Sequence, residues 1–280
     1  MSNEKEAKEL FYKLTERNIK SCSQLQSGTT SDVFLINDAY VLKINKGFRQ
    51  PFLDLDNEYN ILAQLSNNKN IEKAIYFDYE KPYRLTKFVH GARAVNNTYS
   101  DYQIILTAKA LKKLHRTQDI ACNLFEPFIR LDEYKKQAKK KLDQRYEKKI
   151  LSRVKELYED EKLALCHNDL VRGNLLFKFD SLVLIDFEFA GKNIIYFDLA
   201  SFISENNLNE TQSQLFLKTY FGANLNKKKE KNVRLMIEFN DILWYYWSLM
   251  MFNNTSNDIF EDIADEKLLR IKKHQEDKLF

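Results

Sequence analysis

Cysteine, glycine and proline are scarce in this chain of 280 residues: three, six and three respectively. Cys22, Cys122 and Cys166 are odd in number and far apart, and no two form a CxxC. The four histidines, His90, His115, His167 and His274, fall at no metal-ligand spacing. Together these absences argue against a zinc site or a disulfide framework and favour a reducing compartment. The longest apolar run, Ile242 to Phe252, is interrupted by Ser248 and falls short of the ~20 residues that cross a bilayer. The first residues, MSNEKEAKEL, are charged from position 4 and unlike a signal peptide. The expectation is a cytoplasmic protein without membrane insertion. Nor is there a strong charge of one sign: 44 Lys and Arg against 40 Asp and Glu leave a formal net charge of +4. The lysines of 227–229 and 135–149 read as solvated helix faces, and basic-aromatic strand patterning is missing, so nucleic acid is not an expected partner.

A 44% hydrophobic content over this length supports a large core in one domain or two lobes. Residues 3–19 have a helical rhythm through Leu10, Phe11 and Leu14. "VFLIN" (33–37) and "YVLKIN" (40–45) read as a hairpin turning at Asp38-Ala39, and the polar "QSGTTSD" precedes it. "DNEYNILAQLS" (56–66) is helical, and "AIYFDY" and "RLTKFV" are two further strands. From "HGARAVN" onward the texture changes to long amphipathic helices over 101–116 and 131–158, two short apolar strands, and helix to the end. The expected fold is α+β and two-lobed, with a small antiparallel-sheet lobe over 1–90 and a larger, mostly helical lobe over 91–280.

"LCHNDLVRGNLLF" (165–177) places polar groups inside an apolar run, where they need partners. Asp169 and Asn174 are followed by Asp186 at the end of "SLVLID". Two strand ends carrying amide and carboxylate oxygens suit a hard cation such as magnesium with a phosphate. Asn174 and Asp186 would be its ligands, leaving Asp169 to accept a hydrogen bond from an attacking hydroxyl. Upstream, Lys43 sits in mid-strand and Glu58 on the following helix, a pairing that holds nucleotide phosphates in protein kinases. Gly28, with Thr29 and Thr30 beside it, would let backbone N–H groups approach phosphate. Each of these features alone has a plain structural reading, as a turn or a surface lysine.

"CHNDLVRGNLLF" followed by "LIDFEFAGKNIIYFDLASFISE" resembles the choline/ethanolamine kinases of the aminoglycoside-phosphotransferase-like branch of the protein-kinase fold, and the bacterial LicA type in particular. The resemblance spans roughly residues 22 to 252. It implies a catalytic role for Asp169, magnesium ligation by Asn174 and Asp186, and a phosphate-orienting pair in Lys43 and Glu58. It implies that backbone around Thr86, Lys87, Phe88 and Val89 lies against adenine. It implies Glu188 as an acid near the metal site, grouped with the acceptor residues, and on the acceptor side it implies Phe189, Glu205 and the tryptophans of "FNDILWYYWSLMMF", Trp244 and Trp247, as choline-pocket residues; aromatic faces are what hold a quaternary ammonium. The plain structural reading of the same stripe is core packing. It implies a structural role for Asp198, bracing the catalytic loop. A single glycine in "SGTTSD" and phenylalanine at 189, where tyrosine is common, depart from the family pattern. The implied activity is ATP- and Mg2+-dependent phosphorylation of choline, a small-molecule substrate. Ethanolamine, thiamine or an aminoglycoside as acceptor, and a non-catalytic binding module, remain as alternatives.

Overall fold

The computed structural model describes residues 4–27, 31–45, 50–78 and 83–276. In chain order its elements begin α1 (Glu4–Thr15), β1 (Cys22–Ser27), β2 (Ser31–Ile36), β3 (Tyr40–Asn45), α2 (Leu55–Gln64), β4 (Ala74–Asp78) and β5 (Tyr83–Lys87). They continue with α3 (Asp101–His115), α4 (Pro127–Gln137), α5 (Gln144–Asp160), β6 (Leu163–Cys166), β7 (Leu175–Lys178), β8 (Ser181–Leu184) and β9 (Gly191–Ile194). Helices α6 (Ile195–Glu205), α7 (Glu210–Phe221), α8 (Lys227–Thr255) and α9 (Asp258–Glu276) complete the chain. This is the expected α+β division between an antiparallel sheet and a helical C-terminal part.

The chain groups into two compact units. The first comprises Met1–Asn96, Ile120–Cys122 and Gly173–Phe189, and the second the remainder. A single cut at residue 90 therefore does not describe the division, because Asn174 and Asp186 belong with the N-terminal sheet. The physical reason is a short ladder. The Leu184 N–H donates to Asn70 O at 2.8 Å, and the Glu72 N–H donates to Leu184 O at 3.0 Å. Asn70 Nδ2 donates to Leu182 O at 2.8 Å.

In the first unit the strands run in the order β1-β2-β3-β5-β4, every pair antiparallel. The turn between β2 and β3 has positive φ at Asn37 (54°) and Asp38 (51°), one residue earlier than expected from sequence. Such primed turns match the twist of the strands they join. Alternation then sorts the faces. Phe34, Ile36, Leu42, Ile44 and Leu85 bury one face with Ala7 and Phe11 of α1. Lys43, between Leu42 and Ile44, points to the other face. Its cross-strand partner in β3–β5 pairing is Arg84, which shares that face.

In the second unit α8 is the centre, buried on nearly every side from Val233 to Met251, and packs against α4, α5, α6 and α9. A helix apolar all round belongs in a core, which accounts for the run at 242–252. No helix among the described residues is long and apolar enough to cross a membrane. The helical stretch expected over 131–158 breaks between α4 and α5. There Asp143 caps the new start by accepting the Tyr146 N–H at 2.8 Å, and the Leu142 N–H donates to the Tyr246 hydroxyl at 3.0 Å. Strands β6 and β9 pair antiparallel, with Cys166 opposite Gly191. A Cβ on Gly191 would lie 2.7 Å from Asn123 O, so this close backbone approach needs glycine.

Candidate active site

In the first unit two cations and four carboxylates gather on the face of the sheet opposite α1. The Lys43 ammonium donates to both carboxylate oxygens of Asp186, at 2.8 and 2.7 Å, and to Glu188 at 3.2 Å. The expected Lys43–Glu58 pair is not formed. Glu58 lies instead 2.8 Å from Nε of Arg84, whose Nη1 is 3.1 Å from Glu188. The cause is register: Lys43 and Arg84 stand side by side on adjacent strands, and the longer guanidinium reaches α2 while the ammonium takes Asp186. The Arg84–Glu58 approach is close but not straight enough for a good hydrogen bond. Glu188, matched by resemblance to an acid near the metal site and grouped with the acceptor residues, is held between the two cations, and Phe189 is buried. Glu72 completes the cluster by accepting the Asp186 N–H at 2.5 Å.

Four acids around two bases crowd carboxylates in a buried place, and two of them respond by holding their protons more tightly. Burial pushes the Lys43 ammonium down, but Asp186 and Glu188 outweigh it, so Lys43 stays firmly protonated. Burial pushes Glu58 up to about 8, against the pull of Arg84. It pushes Glu72 up to about 7, with Asp186 adding to the rise. Among these groups Asp186 is the most exposed, its side chain 26% accessible. The donor set fits a hard ion: Asp186 supplies carboxylate oxygens and Asn174 a neutral amide, on backbones joined by the Ile185 N–H to Asn174 O bond of 3.1 Å.

On the expected adenine stretch, Thr86 is buried within the sheet. The N–H groups of Lys87 and Phe88 donate to Lys73 O and Ala39 O, both at 2.9 Å. That narrows the candidate base contacts to the carbonyls here and the backbone of Val89. Gly28, Thr29 and Thr30 lie outside the described residues.

In the second unit the polar residues of "CHNDL" find structural partners. Asp198 on α6 accepts the backbone N–H of His167 at 2.8 Å and of Asn168 at 2.7 Å. His115 Nε2 lies 2.9 Å from the same carboxylate, and its Nδ1 is 2.6 Å from the Tyr220 hydroxyl. Asn193 Nδ2 donates to Asn168 Oδ1 at 2.8 Å, and the Leu170 N–H donates to Ser201 Oγ at 3.2 Å. Asn168 carries φ of 64°, a left-handed turn that aspartate and asparagine tolerate best. Asp169 follows it, partly exposed in a loop whose neighbours on both sides are fixed. Burial alone would raise the Asp198 carboxyl; the His115 ring and the His167 N–H outweigh that and hold it below its ordinary range. His115, Cys166 and Asp198 offer atoms within 4.8 Å of one another. The His115 nitrogens and the Asp198 oxygens are already committed to these bonds, so the trio reads as a brace.

Also in the second unit, Trp244 and Trp247 meet edge to face, with centroids 5.7 Å apart and planes at 90°. Trp244 is buried and packs on Phe197, and Trp247, partly exposed, packs on Phe260. Glu205 is ion-paired at 2.5 Å to the buried Lys267 of α9. Asp241, fully buried, has Lys267 at 3.6 Å, Arg270 at 3.5 Å and His274 at 3.0 Å.

A model described as the phosphotransferase enzyme family matches residues 21–234, more than half of the chain. The chain belongs to the phosphotransferase enzyme family. Among this phosphotransferase's relatives is protein LicA of Haemophilus influenzae, 26% identical over 279 residues, covering 93% of this chain and 81% of that one. A stretch of 62 residues, 19% of this chain and 12% of the other, is 44% identical to the ethanolamine kinase of Saccharomyces cerevisiae. In fold it is similar to the crystal structure of choline kinase LicA from Streptococcus pneumoniae, with a TM-score of 0.81 at 19% identity over 96% and 98% of the two chains. The phosphotransferase is thus a kinase-like enzyme.

Sequence reasoning passed over Arg84, Glu72, His115 and Lys267. Arg84 was visible only as a strand residue, and nothing local says that it stands beside Lys43. His115 carried a signal, a histidine at the end of a helix without metal spacing, which a search for ligands discards.

Proposed function

We propose that this phosphotransferase moves the terminal phosphoryl group of ATP to the hydroxyl of choline. The observation that carries the reading is the Lys43 ammonium bonded to both oxygens of Asp186, beside Arg84 and Glu188. Such an array of fixed charges is what phosphoryl transfer demands, because catalysis there rests on positioning and electrostatics. Asn174 and Asp186 would hold magnesium, which when bound neutralises phosphate charge. Lys43 would then orient phosphate, and the backbone near Val89 would meet the base. Asp169, in the loop braced by Asp198, would accept the proton of the acceptor hydroxyl. The similarity to LicA proteins favours choline, and Trp244 and Trp247 supply aromatic surface of the kind a trimethylammonium group prefers. A cytoplasmic location, where ATP is supplied, accords with this reading.

One observation favours a second acceptor. Lys267 already neutralises Glu205, which reduces the acid available to a cation that carries no N–H. A primary ammonium gains more from hydrogen-bond acceptors than from charge alone, so ethanolamine is the second reading. ADP release measured with choline, ethanolamine, thiamine and an aminoglycoside in parallel separates them. Choline should give the highest kcat/KM. A preference for ethanolamine would replace the choline assignment, and no acceptor-dependent turnover would return the chain to a binding module.

A further inference from the structure

We propose that Glu72 is a positioning residue that sets the backbone of Asp186. The inference rests on the reading of Asp186 as the residue that engages the nucleotide's metal.

Asp186 has φ of 65°. The left-handed region costs free energy even for aspartate, which tolerates it better than most, so contacts that fix it there contribute. Its N–H, turned out of the β8 ladder, needs an acceptor, since a buried backbone donor is rarely left unpaired. That acceptor is a side chain, Glu72 Oε1, at 2.5 Å. Glu72 is itself fixed: its own N–H bonds Leu184 O, and Ile71 bridges Leu184 in parallel register. Residues 70–72 thus run alongside 182–184, and the Glu72 carboxylate extends the pairing to residue 186. Glu72 is only 9% exposed. Its carboxylate is not among the groups that pair with Lys43, whose partners are Asp186 and Glu188. The contact with the cluster is therefore made through the Asp186 backbone.

The geometry assigns Glu72 a task that needs an oxygen acceptor of the right reach. Charge is incidental to it. Glu72→Gln keeps Oε1 and the chain length. Glu72→Met keeps the length and much of the packing but removes the acceptor. Losing a buried hydrogen bond of this kind exposes the Asp186 amide to exchange, and small displacements of a reacting constellation carry large rate penalties.

The test has two arms. In protein free of nucleotide and magnesium, amide hydrogen exchange at Asp186 should quicken at least tenfold in Glu72→Met and stay within threefold of wild type in Glu72→Gln. In calorimetry with magnesium and a non-hydrolysable ATP analogue, Glu72→Met should weaken binding about tenfold or more, again with Gln close to wild type. Glu72→Ala serves as a third variant and should follow Met. Unchanged exchange in Met would overturn the proposal. Equal impairment in Gln and Met would overturn it too, by showing that charge is what matters. The reading of Asp186 is judged separately by Asp186→Ala. If that variant binds the magnesium analogue as tightly as wild type, the metal role fails, and the exchange arm alone decides whether Glu72 holds the turn.

Discussion

Replacing Asp198 with alanine removes one carboxylate that does three things. It accepts the N–H of His167 and of Asn168, at 2.8 and 2.7 Å, and it holds His115 at 2.9 Å. All four residues are buried, so water does not replace the lost acceptor without opening the fold. Each orphaned buried donor costs roughly 1–3 kcal/mol. Two backbone N–H groups and a histidine then sum to about 3–9 kcal/mol, and the lower part of that range, about 3–5 kcal/mol, is what removing one partner from a buried charged pair costs. For a protein of this size that is a melting shift of about 10 °C. Urea unfolding of wild type and Asp198→Ala measures it directly as a change in midpoint at constant slope. The same carboxyl adds a pH signature. Its folded form titrates below its unfolded value of about 3.9. Its stabilisation is therefore complete above the unfolded value and disappears as pH falls through the folded one. The difference between wild type and Asp198→Ala should accordingly shrink on the acid side. A midpoint change worth less than about 0.5 kcal/mol at neutral pH would refute the brace.

Alanine at Asp169 or at Asp186 should nearly abolish turnover in folded protein. Binding of a magnesium–ATP analogue should fall for Asp186→Ala and hold for Asp169→Ala, and near-wild-type turnover in either would remove that residue from the chemistry. Lys43→Ala should raise the KM for ATP and lower kcat with the choline KM unchanged. Loss of choline binding alone would move Lys43 out of the nucleotide site. Trp247→Ala should raise the choline KM severalfold with ATP binding unaltered, since a cation held on an aromatic face is worth about 0.5–2 kcal/mol. Trp244, packed on Phe197, should cost about 3–5 kcal/mol of stability as well. If both tryptophan variants lose stability and both affinities in proportion, the pair is core.

The two-part fold was legible because its signals are local. Strand alternation in 33–45, helical spacing after 101 and the existence of a hairpin turn near 38, though not its exact residues, are fixed by neighbouring residues. The polar run 167–174 also announced that it needed partners, and Asp198 proved to be one. What was hidden depends on register between distant strands. Lys43 was visible as an odd mid-strand lysine, but only the β3–β5 register brings Arg84 beside it and hands Glu58 to the guanidinium. Glu72 sits in an irregular connection with no periodicity, and its importance comes from residues 182–186, more than a hundred positions away. Glu205 was read from its own helix alone, so its pairing with Lys267 of α9 could not be seen.

The measurement closest to the central claim is ADP release at saturating ATP and magnesium with choline or ethanolamine as the acceptor, run beside Asp169→Ala. The expected result is acceptor-dependent turnover that is highest in kcat/KM for choline and lost in the variant. Turnover that ignores the acceptor, or survives in Asp169→Ala, would contradict it.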